Sequence, residues 1–331
     1  MKAATQNAYG TPDILKLVEV ERPPVGDNDV LVQVHASIVS QGDRRLRSSD
    51  FPGMSWLPGR LMMGVFKPNN PVPGTMYAGQ VAAVGSKVSR FKVGDDVFGS
   101  VDFGAHAEFL ATASDGPIAP MPKGVDYTTA VAIPYGAGTA QEFLGELADV
   151  QEGEHVLILG ASGGVGRFAI QLAKHLGAEV TGVATARNHE LMRSLGADHV
   201  IDYSTEDFRN NGQRYDVIFD TVGAVRFDQA RDSLTEAGRY LSLIVSMRLL
   251  FAVLTTWLFG GKRALFGVAM GNQQTTERLA DLTEQGVFRP VIDSTWSLTQ
   301  LRDAHVHLET GQTQGSVVIA VADVGLRIAA K

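Results

Sequence analysis

The chain contains no cysteine. That excludes disulfides, thiolate zinc sites and cysteine nucleophiles together. It has no run of lysines or arginines beyond Arg44-Arg45, and 36 acids against 29 Lys and Arg give a net charge of −7. A nucleic-acid groove, which needs a basic stripe, is thereby argued against. The opening residues Met1-Lys-Ala-Ala-Thr-Gln-Asn-Ala-Tyr-Gly10 lack the apolar core of a secretory signal, so a reducing, cytoplasmic setting is the expectation. The eight histidines offer no metal site: His305 and His307 stand two apart on a predicted helix, where they point to different faces. No Ser/His/Asp or paired-carboxylate set can be defined by spacing. What is present is a chain of 331 residues, 44% hydrophobic and 20% charged, long enough for two domains with sizeable cores. The expected partner is a small molecule.

The most informative stretch is His155-Val-Leu-Ile-Leu-Gly-Ala-Ser-Gly-Gly-Val-Gly166, in which an apolar strand run breaks into glycines and opens onto a helix pattern, Arg167 to Leu176. Ala161 and Gly163 allow a tight turn and close backbone approach to a pyrophosphate, and Gly166 lets the helix pack on the strand. The N-terminus of that helix supplies unpaired N–H groups and a partial positive charge for phosphates. A glycine triplet alone is a weak signal. Here strands predicted at Glu179 to Ala184 and Asp216 to Asp220 follow at βαβ spacing, which marks a dinucleotide fold rather than an ordinary turn.

Ahead of this region the texture is β-rich. Ile14 to Val20 and Val30 to Val39 alternate at period two, Pro23-Pro24-Val-Gly26 separates them, and Met76 to Val84 and Val97 to Gly99 continue the pattern. Leu46 to Gly74, rich in Pro, Gly and Met, is too apolar for a solvated linker. Two readings stand, a wall of a substrate cleft and a plain packed excursion. From about Asp126 strands alternate with helices, which implies a parallel sheet. Helices are predicted after Gln273 and over Leu298 to Gly311, and Ser316 to Val321 is a closing strand that returns to the first domain. Leu241 to Gly260 has a single charge, Arg248, close to the length needed to cross a bilayer. However, Leu241 to Val245 falls where the sheet needs its next strand, and the remainder is too short to span. The expectation is a strand and a short helix covering an apolar pocket or a subunit interface, with a surface-lying membrane contact as the alternative.

Seven motifs in order, Ala8-Tyr-Gly-Thr-Pro12, Pro23-Pro24, Val93-Gly-Asp-Asp-Val-Phe-Gly99, Gly136-Ala-Gly-Thr-Ala140, Ala161-Ser-Gly-Gly-Val-Gly166, Gly196-Ala-Asp-His-Val-Ile-Asp-Tyr203 and Asp220-Thr-Val-Gly223, resemble the medium-chain dehydrogenase/reductases, in particular their zinc-independent quinone oxidoreductase (zeta-crystallin-like) branch. The resemblance runs from about Ala8 to Val321. It implies an α/β chain with a GroES-like β-barrel catalytic domain (1–125), a Rossmann doubly wound parallel-sheet domain that binds NADP (126–270) and a C-terminal part (271–331) returning to the catalytic domain, commonly as a homodimer. Where the zinc-dependent relatives carry metal ligands this chain has Ser40, Gly74-Thr75-Met76 and Pro134-Tyr135, so no metal is expected. Without a Lewis acid the oxidation of simple alcohols is disfavoured. Reduction of an electron-poor acceptor needs mainly positioning and some polarisation of its oxygen.

Ser40, Tyr77 and Tyr135 are the candidates for polarising a carbonyl or donating a proton, each equally readable as a turn serine or a core tyrosine. Met76 departs even from the zinc-free branch, which commonly carries an acid there. For the cofactor, the resemblance and the glycine loop select Ala161, Ser162, Gly163, Gly164, Val165 and Gly166, with Thr139 beside the nicotinamide ribose and Tyr203 and Gly223 at the adenosine end. An acid at Ala184 would hold the ribose of NAD. Thr185 and Arg187 follow instead, and a guanidinium fork suits a 2′-phosphate. The expected activity is hydride transfer from NADPH to a quinone or α,β-unsaturated carbonyl of apolar character, with the 46–74 and 249–260 segments lining the acceptor pocket. Its rivals are a non-catalytic NADPH-binding protein and a peripheral membrane-associated member of the same family.

Overall fold

The computed structural model describes residues 1–51 and 53–321. Two sheets carry the architecture. The first is antiparallel for most of its width and is built from β3 (Asp29–Val39), β4 (Met76–Val84), β5 (Asp96–Ser100), β6 (Phe109–Ala113) and β7 (Ile118–Pro120), with β1 (Lys2–Thr5) and β2 (Lys16–Glu19) forming a separate ribbon. β3 is its hub, paired with β4 along one edge and β6 along the other. Its alternating valines, Val30, Val32 and Val34, are fully buried in the barrel core with Tyr77 and Phe91.

The second sheet is parallel: β8 (His155–Leu159), β9 (Glu179–Ala184), β10 (His199–Asp202), β11 (Tyr215–Asp220), β12 (Leu234–Ser242) and β13 (Arg263–Leu265) lie in the order β10-β9-β8-β11-β12-β13. Val156 to Leu159 are buried without alternation, as in a strand covered by helices on both faces. The strand order reverses between β8 and β11, and ligands of such sheets bind in the crevice outside the carboxyl ends of the strands at that reversal.

The chain then returns. β15 (Ser316–Ala320) pairs antiparallel with β3, and β14 (Ile292–Ser297) lies parallel beside β15 through a crossover that contains the helix Leu301–Glu309. Buried Arg47, in the last turn of the helix Gln41–Ser48 that follows β3, meets Glu309 of the crossover helix at 2.5 Å and pins the return.

Several elements differ from the sequence expectations. Ile14 to Val20 is a 3₁₀ turn, Pro12–Ile14, followed by the exposed β2. Leu46 to Gly74 is not structureless, since it holds the helix Trp56–Met63. β13 and β14 escaped notice because one is three residues long and the other reads Ile-Asp-Ser-Thr-Trp-Ser, without apolar alternation. In the apolar stretch, Leu241 and Ser242 complete β12 and the helix Met247–Phe259 follows, N-capped by the Ser246 hydroxyl, which accepts from the Leu249 N–H at 3.2 Å. No helix among the described residues is long and apolar enough to cross a membrane.

Candidate active site

The groove at the sheet reversal is formed chiefly by backbone. Gly160, with φ +74°, makes the left-handed turn that ends β8, and a Cβ there would lie 2.5 Å from the Val222 side chain. The helix Gly166–His175 begins at the far end of the loop. A Cβ on Gly166 would meet the Gly160 carbonyl oxygen at 2.3 Å, so only glycine lets the helix start so close to the strand. The N–H groups of Ser162, Gly164, Val165 and Gly166 find no partner among the described residues. Such a set, at a helix N-terminus, fits a pyrophosphate. Two adjoining cavities, of about 360 and 640 Å³, share Ser162, Gly163, Arg187, Asn188, Val222 and Gly311. Together they have the length and polarity for a dinucleotide.

The distal cavity contains Thr185, Arg187, Tyr203 and Arg209. Arg187 is exposed, and its Nη2 has only a long contact of 3.4 Å, to the Gly311 carbonyl. Arg209 is engaged with Asp207 at 2.6 Å. Asn188 ties the wall together, its amide donating to Ser162 Oγ at 3.1 Å and its oxygen accepting from Gln314 at 3.1 Å.

A third cavity, of about 870 Å³, lies against the barrel. Leu46, Met63, Met76, Phe103, Tyr135 and Met270 give it an apolar wall. Tyr135 belongs to this cavity and to the dinucleotide groove alike. Its ring stands between the two domains, 3.3 Å from where a Cβ of Gly42 would be and 3.6 Å from that of Gly164. Burial raises the pKa of its phenol, with Arg45 pulling the other way. It is therefore a protonated donor at neutral pH, placed where an acceptor would meet the nicotinamide end of a dinucleotide.

Of the other catalytic candidates, neither keeps that role. Tyr77 is fully buried in the barrel core, where burial raises its pKa and no substrate reaches it. Ser40 lines the groove but serves as the N-cap of the helix Gln41–Ser48: its hydroxyl donates to Asp43 Oδ2 at 2.5 Å and accepts from the Asp43 N–H at 3.1 Å. Asp43 is buried, and its other oxygen accepts from Thr75 Oγ1 at 2.9 Å.

Ser162, Gly163, Gly164 and Val165 line the groove as expected, as do Thr185, Arg187 and Tyr203. Ala161 does not, because its side chain is buried in the core beneath the sheet. The tight turn runs from Gly160 through Ala161 to Gly163, whose N–H closes it on the Gly160 carbonyl at 2.9 Å, and Gly166 acts by packing. Gly223 faces a different cavity, and its N–H joins those of Val222, Ala224 and Val225 around the buried Asp220 carboxylate, at 2.7 to 3.1 Å. The Asp220-Thr-Val-Gly223 motif thus fixes a loop. Thr139 lines the acceptor cavity with its hydroxyl donating to the Tyr135 carbonyl at 2.8 Å. No residue from 249 to 260 lines that cavity; Ala269, Met270 and Gly271 do instead.

Sequence reasoning passed over Asn188 and the 311–316 loop, which carry no motif. It also passed over Arg167, a buried cation beside the glycine loop whose pKa burial pushes down to about 10. Glu142 was missed too. It lines the acceptor cavity three residues after Thr139, and burial, helped by Glu146, raises the pKa of its carboxyl. The signal for it was available as an acid one helical turn beyond a motif threonine.

Comparison with known proteins agrees with this architecture. Residues 26–141 match the alcohol dehydrogenase GroES-like domain, and residues 195–319 match a family described as zinc-binding dehydrogenase. The chain is 33% identical over 333 aligned positions to 2-methylene-furan-3-one reductase of Solanum lycopersicum, covering 96% of this chain and 79% of the relative. The chain belongs to the medium-chain dehydrogenase/reductase superfamily, in its quinone oxidoreductase branch. Within that branch it is also 31% identical to an NADPH-dependent alkenal/one oxidoreductase of Arabidopsis thaliana, over 96% of this chain and 79% of the relative. The solved quinone oxidoreductase of Coxiella burnetii superposes with a TM-score of 0.84 at 30% identity, covering 97% of this chain and 99% of that one. As a medium-chain dehydrogenase/reductase with these relatives, the protein is an oxidoreductase that uses a nicotinamide cofactor.

Proposed function

We propose that this protein is a zinc-independent, NADPH-dependent reductase that delivers hydride to a quinone or α,β-unsaturated carbonyl of apolar character. The observation that carries the reading is the continuity of an 870 Å³ cavity, apolar along its Leu46, Met63, Met76 and Phe103 wall, with the glycine-loop groove through Tyr135. When bound, reduced nicotinamide supplies the hydride. The chain's own residues do the rest. The free N–H groups of the glycine loop and Arg167 hold the phosphates, and Arg187 with Thr185 faces a 2′-phosphate. Leu46, Met63, Met76 and Phe103 exclude water from the acceptor, which strengthens each polar contact made to it. Tyr135 donates a hydrogen bond to the acceptor oxygen as charge builds there. Reduction also consumes one proton, and the Tyr135 phenol holds one on this wall.

Support for zinc independence comes from the residue types. Ser40 and Thr75 bind Asp43 to each other, and Met76 and Tyr135 supply no metal ligand. The names of the relatives, an alkenal/one oxidoreductase and a furanone reductase, support an activated alkene as acceptor.

A panel of enones and quinones, followed by the loss of reduced-nicotinamide absorbance and by product analysis that separates C=C from C=O reduction, tests the reading. Turnover that survives chelators is expected, and Tyr135→Phe should lower kcat by about 100-fold with little change in NADPH Kd. Stoichiometric NADPH binding without turnover on any acceptor would replace the reading with a non-catalytic NADPH-binding protein. Activity lost to chelation and restored by zinc would remove the metal-free mechanism.

A further inference from the structure

Two segments, 53–70 and 243–271, contain no Asp or Glu, yet they hold Arg60, Lys67, Arg248, Lys262 and Arg263. The rest of the chain then has 24 Lys and Arg against all 36 acids, a net charge of −12. The same two segments carry fifteen of the twenty-one exposed large apolar side chains among the described residues, including every exposed Phe and Trp. Phe66 is 93% exposed and Phe259 85%. Each segment forms a short helix on the surface, Trp56–Met63 and Met247–Phe259. On the longer one Met247, Phe251, Leu254 and Leu258, all exposed, fall at helical spacing on one outward face. Leu249 is its only fully buried residue.

The segments adjoin. A Cβ on Gly53 would lie 2.5 Å from the Val245 carbonyl oxygen, and both segments line the acceptor cavity, Met63 and Asn70 from one and Ala269, Met270 and Gly271 from the other. The cavity therefore opens between two apolar segments whose own charges are all cationic, with Asp102 of the barrel on its rim, on a molecule that is otherwise strongly acidic.

We propose that this face seats on an anionic lipid bilayer, with the aromatic and aliphatic side chains entering the headgroup boundary and the exposed cations Lys67, Arg248 and Arg263 meeting lipid phosphates and carboxylates. Apolar residues backed by Lys and Arg on a surface helix are the composition that does this, and anionic lipid attracts each such cation. The acidic remainder of the molecule is repelled by the same surface, which orients the cavity mouth toward the lipid. A second copy of the chain fits the face less well. In a symmetric dimer the patch meets itself, setting the cations of the two segments against their own copies. That a lipid-dissolved acceptor enters the cavity from the bilayer rests on the proposed function; the binding itself does not.

Co-sedimentation of the full chain with vesicles of phosphatidylcholine, alone or mixed with phosphatidylserine, tests the proposal, with thermal melting as the check on folding. Binding to the anionic vesicles, weak binding to the neutral ones and release by salt are expected. Loss of one cation lowers the partition coefficient about fivefold, so Lys67→Gln with Arg263→Gln, both exposed, should lower it about 25-fold. Phe66→Asp with Phe259→Asp should abolish binding while leaving the melt unchanged. Failure to bind anionic vesicles at low salt overturns the proposal, as does binding that neither pair of substitutions weakens. A dimer in sedimentation velocity that dissociates in the Phe66→Asp, Phe259→Asp variant, without vesicle binding by the parent, would assign the face to a second copy instead.

Discussion

On the dinucleotide side of the cleft the ligand-facing surface is mostly main chain: four N–H groups without a partner among the described residues, a left-handed glycine and a helix that begins where a Cβ would stand 2.3 Å from a carbonyl oxygen. On the acceptor side it is mostly side chain, with Met63, Met76, Phe103 and Met270 around one tyrosine. The two sides ask different things of the sequence. Main-chain sites restrict residue type at fixed spacing, because a single Cβ in the wrong place closes them. Side-chain sites need volume and polarity, which many residues supply. Substitutions should accordingly be severe and local on the first side and graded on the second.

The largest expected effect is Gly166→Ala. Its Cβ must displace the Gly160 carbonyl, and overpacking of this kind costs about 1 to 3 kcal/mol. Displacing the loop also turns the N–H groups away from the phosphates. Lowered melting temperature and at least tenfold weaker NADPH binding by titration are expected. Met63→Ala, on the other side, should change only the acceptor KM. Equal, small effects of the two substitutions would erase the contrast between the sides.

The same contrast decides what could be read in the sequence. The glycine loop, the βαβ order and the closing strand on β3 were legible because backbone geometry forces residue type and spacing. Even there the left-handed Gly160, which opens the turn that Gly163 closes, was passed over; a glycine that ends an apolar strand looks like part of the strand. Tyr77 and Tyr135 could not be told apart, since whether a tyrosine faces the core or the cleft depends on strand register and domain apposition. Ser40 was indistinguishable from a free hydroxyl until the capping bond to Asp43 was placed. Residues 249–260 were assigned to the acceptor pocket on hydrophobicity, which says that a segment seeks an apolar neighbour and not which one. Asn188 and Gln314 meet only through tertiary folding, 126 residues apart.

At the distal end of the main-chain side, one long side chain is expected to set cofactor choice. Arg187 is exposed and weakly held, free to meet a phosphate. A charge-assisted hydrogen bond is worth about 1.5 to 3 kcal/mol, so Arg187→Ala should weaken NADPH by roughly ten- to a hundredfold and leave NADH nearly unchanged. Adding Ala184→Asp should reverse the preference by repelling the phosphate and accepting from the ribose hydroxyls. Values of kcat/KM for both cofactors decide this. Equal losses for NADH and NADPH would make Arg187 a support of the fold and withdraw it from cofactor selection.

The smallest expected effect belongs to Glu142, the one carboxyl in the acceptor cavity whose pKa is raised, first by burial and then by Glu146. A raised carboxyl pKa means that the folded chain holds this proton more tightly than the unfolded chain does. Its contribution to stability is fully present below the ordinary carboxyl range and is lost as pH rises through the raised value. The same titration places a negative charge on the cavity wall opposite its apolar residues. The parent should therefore lose a few-fold in kcat/KM for the acceptor as pH rises through that window, while NADPH binding, on the main-chain side, stays flat. Glu142→Gln keeps the shape and carries no titrating proton, so its profile should be level, with a melting temperature slightly above the parent's at neutral pH. If the falling limb persists in Glu142→Gln, another group titrates in that window and Glu142 is withdrawn as its cause.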